Sequence, residues 1–216
     1  MQLLSYWRST AAYRVRIALN LKSVDFEYLP IDLMKNGGEH KTPSYREVNP
    51  QMLVPTLIDG GRIISQSLAI LEYLEEKYPL PALLPQNSYE RAQVRQVAQS
   101  IACDIHPLNK SGVLKYLEHE MAVDDNRRLK WYHHWLERHF PALERWAGSV
   151  DHGTYFCGNT SALADLCIVP QIYNARRVYF ALDAYPRLRS IDAACNQLEA
   201  FKLAAPEQQP DAEATG

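Results

Sequence analysis

The sequence predicts two domains of different class, an α/β domain over residues 1–80 and an all-helical domain over residues 86–204. In the first eighty residues, short runs rich in aromatic and branched residues alternate with segments that have helical apolar spacing. After the proline-rich stretch at residues 79–85, almost every segment has the helical spacing. The polar, proline-bearing residues 205–216 are expected to form a flexible tail.

The α/β domain begins with a predicted strand–helix–strand unit. QLLSYW and FEYLPID have strand character, and the segment between them has one apolar face at helical spacing, formed by Ala12, Val15, Ala18 and Leu19. Arg16 and Asn20 fall outside that face. A unit of this length implies two parallel strands joined by a right-handed crossover.

A predicted hairpin and a helix complete this domain. A polar loop over residues 34–52 leads to LVPTLIDGGRIIS, where DGG between two branched runs is a strong hairpin signal. QSLAILEYLEEKYP then begins behind a serine and ends before a proline, as a helix does. The resulting order, β-α-β-loop-β-β-α, is the layout of thioredoxin-like domains.

The second domain consists of predicted helices joined by short connections. They cover residues 88–119, 124–147, 162–180 and 187–203. Pro107 is expected to interrupt the first of them, because proline lacks a backbone donor.

Composition excludes several classes of function. The formal net charge of −2 gives no electrostatic footprint for nucleic acid. No apolar run approaches the ~20 residues that span a bilayer, and the N-terminus has no signal-peptide pattern. The cysteines are scattered without metal-ligand spacing, so no metal is expected and a reducing cytoplasm is the simplest location. His134 and His139 are five residues apart without an evident third ligand, which indicates a solvated helix face.

Five segments carry a family resemblance: YWRSTAAYRVRIAL, NPQMLVPTL, QSLAILEYLEEKYP, LADLCIVPQ and LEAFKLAAPEQQPD. In these segments the sequence resembles the zeta class of glutathione transferases, which includes maleylacetoacetate and maleylpyruvate isomerases. The resemblance extends from residue 2 to about residue 210. Ser9 and Thr10 match the first two members of the Ser-Ser-Cys signature, and Ala11 replaces the cysteine. The implied structure is the glutathione transferase fold, an α/β thioredoxin-like domain followed by an all-α domain.

The hydroxyls at the first strand-to-helix joint have two compatible interpretations. Ser9 or Thr10 can cap the helix, which is the commonest role of a hydroxyl there. The resemblance implies that Ser9, with Thr10 beside it, binds glutathione and stabilises its thiolate. Free thiols have a pKa near about 8.5, and a donor at a helix N-terminus favours the anion. Arg8 is either a surface arginine or a residue that binds a substrate carboxylate and stabilises a developing enolate.

Other glutathione contacts follow from the resemblance. It implies a cis bond before Pro55, which would leave the Val54 backbone to pair with the cysteinyl part of glutathione. It assigns Gln66 and Ser67 to the γ-glutamyl carboxylate, for which a helix N-terminus is a suitable site; a plain cap is the alternative for Ser67. Further candidates are His40, Asp104, His106 and Asn109 for the cofactor, and Arg176 and Arg177 for the distal carboxylate of the substrate.

The resemblance implies a cofactor role for glutathione. Its thiolate would add to a cis double bond of a maleyl dicarboxylic acid, rotation would follow about the resulting single bond, and elimination would return the trans product. Lys110-Ser111-Gly112 stands where maleylpyruvate isomerases have extra arginines, which favours maleylacetoacetate and hence tyrosine and phenylalanine catabolism. Maleylpyruvate isomerisation, conjugation or dehalogenation of α-haloacids, and a non-catalytic binding module are the alternatives. A homodimer is expected, without a nucleic-acid or membrane partner.

Overall fold

A computed structural model describes residues 1–149 and 153–212. The chain forms two compact units. The N-terminal unit consists of Met1–Leu83 together with the C-terminal segment that begins at Asn196, and the helical unit is Leu84–Cys195. The break after Leu83 falls inside the proline-rich stretch. No helix in the described ranges is both long and apolar enough to cross a bilayer.

The N-terminal unit contains the predicted mixed sheet. Its strands are β1 (Gln2–Ser5), β2 (Glu27–Pro30), β3 (Thr56–Asp59) and β4 (Arg62–Ser65). The strand order is β2-β1-β3-β4, with β1 parallel to β2 and antiparallel to β3, and β3 antiparallel to β4. The predicted crossover helix is α1 (Thr10–Leu21), and the helix after the hairpin is α3 (Ser67–Lys77). The α/β, thioredoxin-like assignment of this part of the chain is confirmed.

The polar loop predicted over residues 34–52 contains a short helix, α2 (Pro43–Val48). The Thr42 hydroxyl accepts a hydrogen bond from the Tyr45 N–H at 3.3 Å, and Pro43 occupies the first helical turn. A threonine followed by proline is a helix-start signal. The purely polar interpretation of this segment overlooked that signal.

Apolar side chains from the sheet and from the two longer helices form the core of the N-terminal unit. The fully buried ones include Leu3, Leu57, Val15, Ile17, Ile70, Leu71 and Leu74. The α1 side chains are buried all around the helix, from Ala12 to Leu19, and the buried set includes Arg14 and Arg16. A helix buried on every face must have neighbours on more than one side.

The C-terminal segment supplies one of those neighbours. Its helix α9 (Glu199–Ala204) packs against α1, and the Ala204 carbonyl accepts a hydrogen bond from Arg16 Nε at 3.0 Å. The flexible tail expected over residues 205–216 is folded as far as Ala212. The Asp211 carboxylate accepts hydrogen bonds from the Trp7 N–H (3.0 Å) and the Tyr28 hydroxyl (2.6 Å). Polar composition predicted a flexible tail because composition does not show which side chains form hydrogen bonds with the rest of the unit. Residues 213–216 lie outside the described ranges.

The helical unit contains five of the helices that the structure describes. They are α4 (Ser88–Gln99), α5 (Ser111–His119), α6 (Asp125–Ser149), α7 (Leu163–Arg177) and α8 (Pro186–Cys195). The long helix predicted over residues 88–119 is interrupted as expected near Pro107. A π-helical stretch, Ser100–Ile105, is followed by a 3₁₀ turn, His106–Asn109. The all-α assignment of this unit is confirmed, whereas the helix predicted at 187–203 is two separate helices, α8 and α9.

A buried carboxylate caps α7. The residue at the cap position is Ala162, whose side chain has no hydrogen-bonding atom. The Asp165 carboxylate instead accepts from the backbone N–H groups of Ala162 (2.7 Å) and Phe156 (2.9 Å). Burial raises the pKa of Asp165 to about 7 despite these two donors.

The raised pKa makes a testable contribution to stability. An acid whose pKa is higher in the folded state retains its proton there while the unfolded chain loses it, so its contribution falls as the pH rises from about 4 to 7. Asp165→Asn removes this dependence. We therefore expect the free energy of unfolding of the wild type, minus that of Asp165→Asn, to decrease between pH 4.5 and 7 in urea titrations. Asp183→Asn, at an exposed position, is the control; a pH-independent difference for Asp165→Asn would contradict the assignment.

Candidate active site

The sheet register brings three chain connections to one end of the N-terminal unit. Leu4, near the end of β1, pairs with Thr56, and Thr56 pairs with Ser65 at the end of β4. The end of β1, the start of β3 and the end of β4 therefore lie side by side. The loops before α1, before β3 and before α3 all join the sheet there. The candidate residues of these three loops therefore lie at the same end of the strands.

Ser9 lies at the joint between β1 and α1. It is the N-cap of α1, and its Oγ accepts a hydrogen bond from the Ala12 N–H at 3.2 Å. Capping uses an oxygen lone pair and leaves the hydroxyl proton available to a ligand. The capping role is thus observed and is compatible with donation to a thiolate. The positive end of the α1 dipole adds to the attraction of an anion there.

The two neighbours of Ser9 have different environments. Thr10 is the first residue of α1 and is buried. Arg8 is half-buried, and its guanidinium lies 5.1 Å from the centroid of the Trp7 ring. This cation–π contact orients the Arg8 side chain while leaving its N–H groups able to donate.

The loop before β3 has the expected cis bond between Val54 and Pro55. The preceding carbonyl, that of Leu53, accepts hydrogen bonds from the Tyr45 hydroxyl (2.7 Å) and from the Asn49 amide (2.8 Å). Strand pairing starts at Thr56, so the Val54 backbone lies outside the ladder. The resemblance assigned this backbone to the cysteinyl part of glutathione, and that assignment stays a prediction.

Gln66 and Ser67 begin α3 at the same end of the sheet. Gln66 is the N-cap residue and has a φ of 72°, an unfavourable value for a residue with a side chain. Such backbone strain concentrates at functional positions. The Gln66 amide donates to Gln51 Oε1 at 2.7 Å. Ser67 is buried, and its Oγ accepts from Arg14 Nη1 at 3.1 Å, which ties α1 to the start of α3.

A second arginine of α1 fixes the backbone that leads to Ser9. Arg16 is 1% exposed, and its guanidinium donates to the carbonyls of Trp7 (2.9 Å) and Tyr6 (3.4 Å) and to the Ser5 hydroxyl (3.2 Å). Because the Trp7 N–H donates to Asp211, the Trp7 peptide groups are held from two sides.

The remaining candidate of the N-terminal unit is His40. It lies half-buried in the 3₁₀ turn Glu39–Lys41, in the connection after β2. The parallel pairing of Ser5 with Pro30 sends this connection away from the same end of the sheet as the loop that carries Ser9.

Three further candidates lie in the interrupted region of the helical unit. Asp104, in the π-helical stretch, is exposed, and His106, in the following turn, is half-buried. Asn109 is only 9% exposed, and neither its amide nitrogen nor its amide oxygen has a hydrogen-bond partner within the described part of the chain. Buried amides nearly always have hydrogen-bond partners, so Asn109 is the strongest of the three candidates for a ligand contact.

The two arginines at the end of α7 differ in their contacts. Arg176 Nη2 donates to the buried Asp192 carboxylate at 2.6 Å, whereas Arg177 is exposed near Asn174. The ion pair holds Arg176 in one orientation. The guanidinium keeps further N–H groups that a ligand carboxylate can accept.

The histidines of α6 take part in ring contacts. Trp135 lies edge-on to His134, with centroids 5.0 Å apart, and stacks on His139 at 6.3 Å. In residues 1–149 and 153–212, no group of three or more His, Cys, Asp and Glu could hold a metal ion.

Comparison with known proteins places this geometry in a family. Residues 3–82 match the glutathione S-transferase N-terminal domain model. The chain is 46% identical, over 97% of both chains, to a probable maleylacetoacetate isomerase of Vibrio cholerae, and 44% identical to a maleylpyruvate isomerase of Ralstonia, covering 98% of this chain and 99% of the relative. A solved zeta-class structure, a maleylpyruvate isomerase, superposes with a TM-score of 0.95 at 44% identity, covering 99% of this chain and 100% of that chain.

The chain belongs to the zeta class of glutathione transferases. Another solved structure, a maleylacetoacetate isomerase from Methylobacterium extorquens with bound malonate and glutathione, has a TM-score of 0.94 at 35% identity, covering 99% of this chain and 100% of that one. The resemblance found in the sequence is thereby confirmed.

Two arginines of this zeta-class chain had no role in the sequence prediction. Arg14 and Arg16 are both 1% exposed, and both contact the candidate site through hydrogen bonds. A signal was present, because the α1 segment is apolar on almost every side. A charged residue within such a helix must be buried and paired.

Proposed function

We propose that this chain catalyses the glutathione-dependent cis–trans isomerisation of maleylacetoacetate to fumarylacetoacetate, a step of tyrosine and phenylalanine catabolism. The observation that carries the proposal is the Ser9 hydroxyl, which caps α1 at the sheet end where α3 also begins. Full-length similarity to proteins named maleylacetoacetate isomerase supports the choice of reaction.

The residues of the N-terminal unit fit glutathione. Ser9 and Thr10, at the start of α1, would hold the thiolate, with the Ser9 O–H as donor. The Val54 backbone would pair with the cysteinyl peptide, and Gln66 with Ser67 would receive the γ-glutamyl carboxylate. Bound glutathione supplies a nucleophilic sulfur that adds to the substrate double bond and leaves again after rotation. Asp104, His106, Asn109 and His40 are proposed as further contacts of this cofactor.

Arginines are the proposed partners of the dicarboxylic substrate. Arg8 is adjacent to Ser9, so it would bind the carboxylate or the oxygen that becomes negative next to the reacting carbon. Arg176, oriented by Asp192, and Arg177 would bind the distal carboxylate. Maleylpyruvate isomerases have extra arginines at the place of Lys110. The single positive charge of Lys110 there favours maleylacetoacetate as the substrate.

A spectrophotometric assay tests the reaction and the substrate together. We expect isomerisation of maleylacetoacetate to require glutathione and to exceed that of maleylpyruvate in kcat/KM. A higher kcat/KM for maleylpyruvate would select the alternative that the 44% identity to the Ralstonia enzyme also favours. Equal rates with and without glutathione would overturn the mechanism. Turnover of α-haloacids is measured in parallel, since conjugation and dehalogenation need the same thiolate.

A non-catalytic binding module is the alternative from a different class. Retention on glutathione-agarose separates the two readings, because a docking module has no need of a thiolate site. We expect the wild type to be retained and the double variant Gln66→Ala/Ser67→Ala to pass through. Failure of the wild type to bind would refute the enzyme proposal.

We also propose a cytoplasmic homodimer. Within the described part of the chain, Cys103, Cys157, Cys167 and Cys195 form no disulfide bond, which fits a reducing compartment. Light scattering during gel filtration gives the oligomeric state directly, and a mass of 24.7 kDa in solution would contradict the dimer.

A further inference from the structure

We propose that Arg14 is a positioning residue for the γ-glutamyl carboxylate of glutathione. It is on α1 and 1% exposed, and Nη1 donates to Ser67 Oγ at 3.1 Å. This inference rests on the proposed glutathione function and extends it. Neither the sequence motifs nor the comparisons give Arg14 a role at this position.

The first step concerns the direction of the Ser67 hydroxyl. A guanidinium has donors and no acceptor, so Ser67 Oγ is the acceptor in this hydrogen bond. The Ser67 proton must then point to a different acceptor. The backbone groups that lack an intrahelical partner at the start of a helix are N–H donors and cannot accept it. Arg14 therefore turns the Ser67 proton away from the guanidinium and leaves it available to an acceptor of a bound ligand.

The second step concerns charge. Ser67 is the first residue of α3, so the buried guanidinium of Arg14 lies next to the positive end of the α3 dipole. A cation beside that end is repelled by the helix dipole. A carboxylate bound there is instead attracted both by the guanidinium and by the helix end. Arg14, the Ser67 hydroxyl and the first N–H groups of α3 together favour an anion at this helix end. They provide both the charge and the donors that a γ-glutamyl carboxylate would match.

The experiment compares two ligands that differ in the γ-glutamyl residue. Glutathione carries this residue and its carboxylate, whereas the dipeptide cysteinylglycine lacks both but retains the thiol. Their dissociation constants are measured by calorimetry for the wild type, Arg14→Met, Arg14→Lys and Ser67→Ala. Arg14→Met keeps a flexible apolar side chain without donors or charge, and Arg14→Lys keeps a charged donor.

We expect Arg14→Met to weaken glutathione binding roughly 10- to 100-fold, the usual range for a lost hydrogen bond to a charged group. Binding of cysteinylglycine should change less than about twofold, and Arg14→Lys should recover much of the affinity for glutathione. The double variant Arg14→Met/Ser67→Ala should bind glutathione at most about threefold more weakly than the weaker of the two single variants, because both residues act on one carboxylate.

Each other outcome has a distinct meaning. Equal losses for both ligands would show that Arg14 only supports the fold and would overturn the inference, as would unchanged glutathione binding in Arg14→Met. If Arg14→Met does not fold, the same ligand comparison is made with Arg14→Lys and Ser67→Ala. A loss in Ser67→Ala with none in Arg14→Lys then supports the inference, and equal losses for both ligands overturn it. A wild type that does not bind glutathione removes the proposed function together with this inference.

Discussion

Replacement of Ser9 by alanine is expected to lower kcat/KM for glutathione-dependent isomerisation roughly 100-fold, the lower end of the range for losing one donor to a developing or bound anion. The Ser9 hydroxyl is at the N-cap of α1, and it is the proposed donor to the thiolate. Its loss should raise the pKa of the thiol of bound glutathione, because the thiolate loses stabilisation. Thiolate absorbance in the ultraviolet, followed against pH in the binary complex, measures that shift.

Stability must be separated from catalysis in this variant. Ser9→Ala also removes the hydrogen bond to the Ala12 N–H, and losing a helix cap costs on the order of 1 kcal/mol. Asn87→Ala is the matched control, since Asn87 caps α4 through the N–H groups of Tyr89 and Glu90. It should be destabilised to a similar degree while its activity stays near that of the wild type. Similar activity losses in both variants would show that the effect of Ser9→Ala is structural.

Ala11 gives a second comparison at the same joint. It occupies the place of the signature cysteine and is half-buried on α1. Because the proposed nucleophile is the sulfur of glutathione, Ala11→Cys should change the rate much less than Ser9→Ala. A large gain in Ala11→Cys would indicate that a protein thiol takes part in the reaction.

The fold was largely predictable because local patterns decide it. The alternation of strand and helix in the first eighty residues, and the DGG turn, correspond to β1–β4, α1 and α3. Two features depend on distant partners and could not be read locally. The tail after residue 204 is held through Asp211, and α9 belongs to the N-terminal unit. Both follow from contacts between residues that are 204 and 188 positions apart in the sequence.

Prediction of the candidate site was similarly uneven. Ser9, Gln66 and Ser67 were selected because the family resemblance assigns them to glutathione, and the structure places all three at helix starts, where caps and anions bind. Arg14 and Arg16 were overlooked because apolar spacing was used to define one face of α1. It gave no information on what covers the opposite face. The structure shows that α1 is buried from Ala12 to Leu19, so both arginines are internal donors.

Replacement of Arg16 by methionine is expected to lower the free energy of unfolding by roughly 3 to 5 kcal/mol, because buried acceptors lose their donor. The guanidinium donates to Trp7 O, Tyr6 O, Ala204 O and Ser5 Oγ, and it is 1% exposed. The side chain of methionine fills a similar apolar volume but donates nothing. Urea titration, which gives the free energy of unfolding, measures the loss. Arg62→Met on β4, at an exposed position, is the control and should stay within about 0.5 kcal/mol of the wild type.

Arg16→Met should also lose more activity than the unfolded fraction of the variant accounts for. Arg16 and Asp211 hold the Trp7 peptide from two sides, two residues before Ser9, so they determine where the Ser9 hydroxyl points. Asp211→Ala removes one of these two supports and leaves the guanidinium in place. We expect Asp211→Ala to be less destabilised than Arg16→Met. Both variants should raise the pKa of the thiol of bound glutathione. If both variants kept the thiol pKa of the wild type, the frame around Trp7 would stabilise the fold without positioning Ser9.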